Sequence, residues 1–224
     1  MTPRLLLGTA IVPGGKEELR LYSRDGDFMI VLDRNELMSS RMSGSEEALA
    51  VMTAERLGQR AAPHLLIGGY GMGFTLRAAL AALGKDARLT VAELVSEIID
   101  WAEGPMAAMT AGCLDDPRTE LVIDDVAALI ERSACAYDAI LLDVDNGPDG
   151  LSRRGNNQLY NGRGLAAARA ALTPGGVLAI WSAAPDVAFG KRLASAGFVV
   201  DEVRIRARPN GKGPIHTIWF ASSR

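Results

Sequence analysis

Asp143 and Asp145 stand two residues apart at the carboxyl end of the apolar run 137–145, YDAILLDVD. If that run is an extended strand, both carboxylates share one face, because side chains alternate with a period of two. Carboxylates so placed attract a cationic amine and help strip its proton before the nitrogen attacks an electrophilic carbon. The next residues, Asn146-Gly147-Pro148-Asp149-Gly150, also make a good turn, so a purely structural role for the Asp-x-Asp-Asn string stays open. No Asn/Asp-Pro-Pro-aromatic string is present, which speaks against methylation of a nucleobase amino group.

A second constellation lies upstream, in LLIGGYGMG. Gly69, Gly71 and Gly73 follow an apolar strand, with Tyr70 and Met72 between them. Glycines there let the chain turn sharply and approach a ligand closely, since no Cβ intervenes. A dinucleotide fingerprint would need glycine or alanine at Phe74 or Leu76, and a Walker loop would continue as Gly-Lys-Ser/Thr. Neither condition is met. The loop instead suits an adenosyl group with a sulfonium tail and no phosphate, the alternative being a bare tight turn. Glu93 ends the next strand, twenty-four residues after Gly69, where an acidic side chain can accept both ribose hydroxyls. Asp124 and Asp125 close the third strand. One of them can face an adenine edge, and Asp125 can equally cap the following helix.

The candidate residues are therefore Asp143 and Asp145 for catalysis, and Gly69, Tyr70, Gly71, Gly73, Glu93, Asp124 and Asp125 for the adenosyl ligand. No metal is expected. Cys113 and Cys135 lack CxxC spacing and a neighbouring histidine, and read as reduced, buried thiols. His216 reads as a surface or hydrogen-bonded histidine.

The elements that must position these residues fall into two parts. Residues 1–42 carry β signals: TPRLLLGTAIVPGG reads as a strand rather than a leader. ELRLYSR and FMIVLD read as a hairpin about Asp25-Gly26-Asp27, with ELMSSRM as a further short strand. Ser43-Gly44-Ser45-Glu46 then forms a capping-box pattern ahead of a helix that Pro63 ends. Over 43–224 strands and helices alternate. Strands are expected at 65–69, 88–94, 119–124, 137–145 and 177–183, and helices at 74–84, 95–109, 126–133, 161–172 and 186–196. Nearly continuous apolar strand runs imply a sheet covered on both faces, hence a doubly wound, Rossmann-like, mostly parallel α/β fold. Strand-like runs at 198–208 and 214–222 flank a Pro-Asn-Gly-Lys-Gly turn and finish the sheet with an antiparallel hairpin. A sheet of that kind resembles the class I methyltransferase fold.

Bulk properties narrow the function. The chain has 224 residues, 48% of them apolar, enough for a full core without staples. A net charge of −3 argues against general nucleic-acid or membrane-surface binding. No run approaches the ~18 apolar residues needed to cross a bilayer, and a cytoplasmic location is expected. Arg204, Arg206 and Arg208 alternate with apolar residues and read as a solvated strand face. Arg153, Arg154 and Arg163 around Asn156-Asn157 read as a polar lid over the site.

In order along the chain, LLIGGYGMGFTLRAAL, VAELVSEIIDWA, YDAILLDVDNGP and LYNGRGLAAARAALTPGGVLAIW resemble the spermidine synthase (polyamine aminopropyltransferase) family. The likeness covers roughly 20–183, and the N-terminal hairpins resemble a shortened form of that family's small β domain. The resemblance implies transfer of an aminopropyl group from decarboxylated S-adenosylmethionine to a small-molecule amine, without a metal, by a homodimer. It makes Asp143 the first aspartate of the family's Asp-x-x-Asp motif, Glu93 the ribose ligand and Asp124 the adenine-side aspartate. Asn146 stands where that motif has its second aspartate. Met72 stands where the family keeps an aspartate for the donor's ammonium, with Tyr70 as an apparent insertion. The segment 37–50 lacks the glutamine and tyrosine of the family's substrate channel. A methyltransferase using S-adenosylmethionine, or a non-catalytic nucleoside-thioether binder, remains open on the same scaffold.

Overall fold

The computed structural model describes residues 3–144 and 157–223. The chain begins with a four-stranded antiparallel sheet in the order β1 (Leu5–Ile11), β2 (Glu18–Arg24), β3 (Asp27–Leu32), β4 (Asn35–Ser39). Its central hairpin turns on Asp25 and Gly26, both at positive φ, the geometry that Asp-Gly turns supply between twisted strands. Helix α1 (Gly44–Leu57) leads from this sheet into the larger part of the molecule. It stops at Gly58, which takes φ 59°, ahead of the Pro63 expected to end it.

The second sheet has seven strands in the spatial order β10-β11-β9-β8-β5-β6-β7. Its parallel part is β5 (His64–Gly68), β6 (Arg88–Glu93), β7 (Thr119–Ile123), β8 (Tyr137–Leu142) and β9 (Leu172–Ser182). β10 (Phe198–Arg206) and β11 (Ile215–Ser223) close it as the expected antiparallel hairpin, with β11 between β9 and β10. The intervening helices are α2 (Phe74–Ala82), α3 (Ser96–Glu103), α4 (Ala107–Thr110), α5 (Val126–Glu131), α6 (Asn157–Tyr160), α7 (Gly162–Ala171) and α8 (Val187–Ser195). The single helix expected at 95–109 is split in two at Gly104-Pro105, because proline withholds an N–H and restricts the residue before it. β9 starts at Leu172, before the Pro174-Gly175-Gly176 stretch, and absorbs it as an irregularity in its pairing with β8.

The central strands bury both faces. Leu65, Ile67, Ala139 and Leu141 enter one core, shared with α1, α2, α3 and the small sheet. Leu66, Ile140 and Leu142 enter the other, with α5, α7 and α8. One cysteine departs from expectation: Cys113 is buried, but Cys135 is exposed, at φ 47° in the turn before β8.

Two clasps fix the strand ends. At the amino end, Asp138 accepts from the His64 backbone N–H, from Thr173 Oγ1 and from the Arg60 guanidinium, tying β5, β8 and β9 together. At the carboxyl end, the loop after β5 lies against the end of β8. A Cβ on Gly69 would come within 2.5 Å of the Asp143 carbonyl oxygen, and Gly69 has φ 85°. Gly69→Ala is therefore expected to cost at least about 2 kcal/mol in chemical denaturation. Gly26→Ala, at φ 86° in open space, should cost only about 1 kcal/mol.

Candidate active site

Parallel register places three carboxylates side by side. Gly68 pairs with Ala92 on one flank and with Leu142 on the other, so Glu93 and Asp143 each follow a residue level with Gly68. Asp124 follows Ile123, the partner of Glu93. Backbone bonds carry the alignment past the strand ends: Gly69 N–H donates to Ala92 O, Asp124 N–H to Glu93 O, and Asp143 N–H to Gly68 O. Ligands of open α/β sheets bind at this edge.

Glu93 is buried and anchors the loop. Its Oε2 accepts from Tyr70 N–H at 2.9 Å and its Oε1 from Val95 N–H at 2.9 Å. Burial raises its pKa, and those backbone donors oppose the rise. Glu93 also lines the cavity. Asp124 is half-exposed; its Oδ2 accepts from Arg132 Nη1 at 2.9 Å, which holds its pKa low. Asp125 caps α5, accepting from Ala127 N–H at 2.9 Å, and also lines the cavity.

Gly69 and Gly71 line the same cavity. Tyr70 contributes its backbone alone. Its ring turns inward and its hydroxyl lies 3.3 Å from Cys113 Sγ, which makes the side chain part of the core. Met72 is likewise fully buried. Gly73, with φ 75°, begins α2 and packs under the Tyr70 ring. Over Gly71 sits Met38 of β4, whose Cε would be 2.7 Å from a Cβ placed there.

Asp143 is held by Thr75, whose hydroxyl donates to Oδ2 at 2.7 Å. β8 ends at Leu142, one residue before it. Asp145 lies outside the described residues, as do Asn146, Arg153, Arg154 and Asn156 of the expected lid. Arg163 faces Glu131 of α5 at 3.5 Å.

Several cavity residues escape a motif-based reading. Glu46 was expected to close a capping box with Ser43, yet Ser43 makes no side-chain cap bond. Glu46 is buried and lines the cavity, its Oε2 accepting from Ser45 Oγ at 2.6 Å. The missed signal is periodicity. Glu46 lies on the stripe Glu46, Leu49, Ala50, Thr53, Leu57 that α1 buries, and an acid on a core-facing stripe is costly unless it is used. Trp181 of β9 forms another part of the wall, and the small sheet adds Leu19, Ile30, Leu32, Leu37 and Met38.

Among the described residues the cavity presents five carboxylates, Glu46, Glu93, Asp124, Asp125 and Asp143, on otherwise mainly apolar walls. Among the described lining residues there is no lysine, arginine or histidine. Glu46 has a raised pKa, from burial first and the nearby Asp143 charge second; burial also raises Asp143, opposed by Thr75. Among the described residues no three His, Cys, Asp or Glu side chains gather as a metal site. An ammonium or sulfonium would relieve the unpaired charge.

The sign of the pH dependence follows. Carboxyls with raised folded-state pKa values bind protons more tightly folded than unfolded. They favour folding fully below the ordinary carboxylate range, and that contribution is lost as pH rises through their raised values. Without ligand, the melting temperature should fall between about pH 5 and about pH 8, and less steeply in Glu46→Gln.

Known proteins resemble this chain in sequence and in fold. A polyamine aminopropyltransferase of Pseudomonas aeruginosa is 35% identical over 121 residues, covering 52% of this chain and 32% of that protein. One from Mycobacterium tuberculosis is 28% identical over 193 residues, covering 82% and 35% respectively. The chain thus spans about a third of the length of these relatives. Spermidine synthase from Thermotoga maritima shares the fold with a TM-score of 0.78 at 20% identity, over 98% of this chain and 73% of that one. A spermidine synthase solved with the transition-state analogue AdoDATO gives 0.77 at 20% identity, over 98% and 72%. The family model described as the spermine/spermidine synthase domain matches residues 48–188, from α1 through the glycine loop and Asp143 into α8, and the chain belongs to that family.

Proposed function

We propose that this protein transfers an aminopropyl group from decarboxylated S-adenosylmethionine to a small amine. The observation that carries the reading is the charge of the cavity: five carboxylates and no described basic side chain. Such a site favours a donor bearing a sulfonium and an ammonium. It disfavours one that also carries a carboxylate, since like charges repel strongly where water is scarce. That distinction sets aminopropyl transfer ahead of methylation by S-adenosylmethionine, the second reading on this scaffold.

On this reading Glu93 holds the ribose, Asp124 faces the adenine edge, and Asp125 shapes that end of the site while capping α5. Gly69, Gly71 and the Tyr70 backbone form the floor, with Gly73 setting the start of α2. Asp143 orients the attacking amine and takes its proton, with Asp145 as a second acid of the same segment. The nitrogen attacks the carbon beside sulfur, the C–S bond breaks, and its electron pair stays on sulfur as methylthioadenosine leaves. In-line displacement of this kind depends chiefly on positioning. Residues 1–42 serve as a cover and 43–224 as the transferase unit, working in the cytoplasm as a homodimer without a metal. In support of a non-membrane site of action, no described helix is long and apolar enough to cross a bilayer.

The test is a titration with decarboxylated S-adenosylmethionine, S-adenosylmethionine and methylthioadenosine, followed by turnover with putrescine. The decarboxylated donor should bind at least about tenfold more tightly than the carboxylated one. Asp143→Asn should lower turnover by roughly 100-fold or more while leaving methylthioadenosine binding intact. Tighter binding of the carboxylated donor would instead establish the methyltransferase reading.

A further inference from the structure

Glu46 has no part in the reaction as derived so far, and among the described lining residues it is the one carboxylate that comes from outside the strand ends of the large sheet and the residues following them. It sits in the first turn of α1, buried, on the cavity wall. Its neighbours hold it in a defined chain. Ser45 Oγ lies 2.6 Å from Glu46 Oε2 and 2.8 Å from Nδ1 of His216 on β11. His216 is buried edge-on against Trp181, ring centroids 4.7 Å apart, and burial lowers its pKa, so it is a neutral imidazole. The chain runs in either direction. With Glu46 ionised, His216 Nδ1–H donates to Ser45 and Ser45 to Glu46; with Glu46 protonated, both bonds reverse.

Asp143 lines the same cavity. The Thr75 hydroxyl that donates to Asp143 also lies 3.5 Å from the Glu46 carbonyl oxygen, so a single side chain joins the two segments. Asp143 is close enough for its charge to act on Glu46; the other acid acting on Glu46 is Glu47, its neighbour on α1. Among the described residues the facing groups are thus Asp143 from the segment after β8, His216 from β11 and Glu47 on the same helix. None is cationic. Two buried carboxylates that share a site and lack a counter-ion retain a proton between them.

We infer that Glu46 is a second amine-recognition residue, which with Asp143 clamps one alkylammonium, and that binding this cation expels the proton the empty pair retains. The inference rests on the proposed reaction and adds a residue to it. The site lacks two acids where the family resemblance would place them, at Met72 and Asn146. Helix α1 supplies a carboxylate to the same cavity. Trp181 adds an aromatic surface of the sort that cations favour. The proton balance is simple: one alkylammonium enters, one proton leaves to solvent, and the pair stays matched in charge.

Two sources can supply that ammonium, the donor's aminopropyl tail and the acceptor amine. Calorimetric titration in buffers of different ionisation enthalpy separates them. The first arm compares decarboxylated S-adenosylmethionine with methylthioadenosine, which lacks both the ammonium and the sulfonium, and with S-methylated methylthioadenosine, which keeps the sulfonium alone. The second adds putrescine to protein saturated with methylthioadenosine. Near neutral pH one arm should release about one proton per ligand. In Glu46→Gln that release should vanish and affinity in that arm should fall at least about tenfold, with methylthioadenosine binding unchanged. The glutamine keeps an acceptor for Ser45, and unchanged methylthioadenosine binding reports that the fold is intact. Ser45→Ala should weaken the same arm less and leave the ligand order unchanged. If Glu46→Gln retains both proton release and ammonium affinity, the inference is wrong. If native protein binds methylthioadenosine but shows no proton release in either arm, the inference falls and the donor site stands. If it binds no adenosyl ligand, both fall together.

Discussion

Burying negative charge without a counter-ion is the constraint around which this molecule is arranged. A carboxylate in an apolar cavity is tolerated only when donors are fixed around it. Each cavity acid meets that demand differently. Glu93 takes two backbone N–H groups, one from the glycine loop and one from the start of α3. Asp143 takes the Thr75 hydroxyl, Asp124 an arginine at the rim, and Glu46 a serine backed by a histidine. The supports come from both sides of the sheet's edge, so the geometry of the cavity and the integrity of the fold are one problem. The glycine loop is pinned by Glu93 as much as Glu93 is pinned by the loop.

This arrangement explains why the floor and walls differ in character. The floor is backbone and carboxylate, set by parallel register. The walls are apolar side chains, many of them from a separate small sheet whose strands are local hairpins. Register of parallel strands is rigidly specified because both faces are buried. The hairpin sheet leaves Leu5, Leu6 and Ile11 exposed on β1. Chemistry that must be held to fractions of an ångström sits on the first part, and coverage is left to the second.

Much of this was legible in the sequence. Continuous apolar runs, the spacing of Gly69 to Glu93 and the Asp-Gly turn each have a local physical cause, and most elements formed near their expected places, the helix expected at 95–109 being divided in two and β9 starting five residues early. What escaped was set by tertiary context. Glu46 fits a helix-capping pattern perfectly well as a string, and only its position on the buried stripe of α1 shows that it faces inward. Tyr70, flanked by glycines in a ligand loop, reads as a ligand contact. Its ring is instead drawn into the core beside Cys113, and no local rule announces that. Cys135 was expected to be buried on composition alone, and a turn at positive φ carries it to the surface.

Met38 deserves a last consideration as a moving part. Its thioether rests against Gly71, where only the lack of a Cβ leaves room. Methionine is unbranched and readily changes rotamer, so the contact is a soft one. A ligand that approaches the Gly71 backbone closely meets that side chain first. The small sheet therefore reaches the glycine loop through one pliant side chain, and the shape of the cavity there depends on both sheets at once.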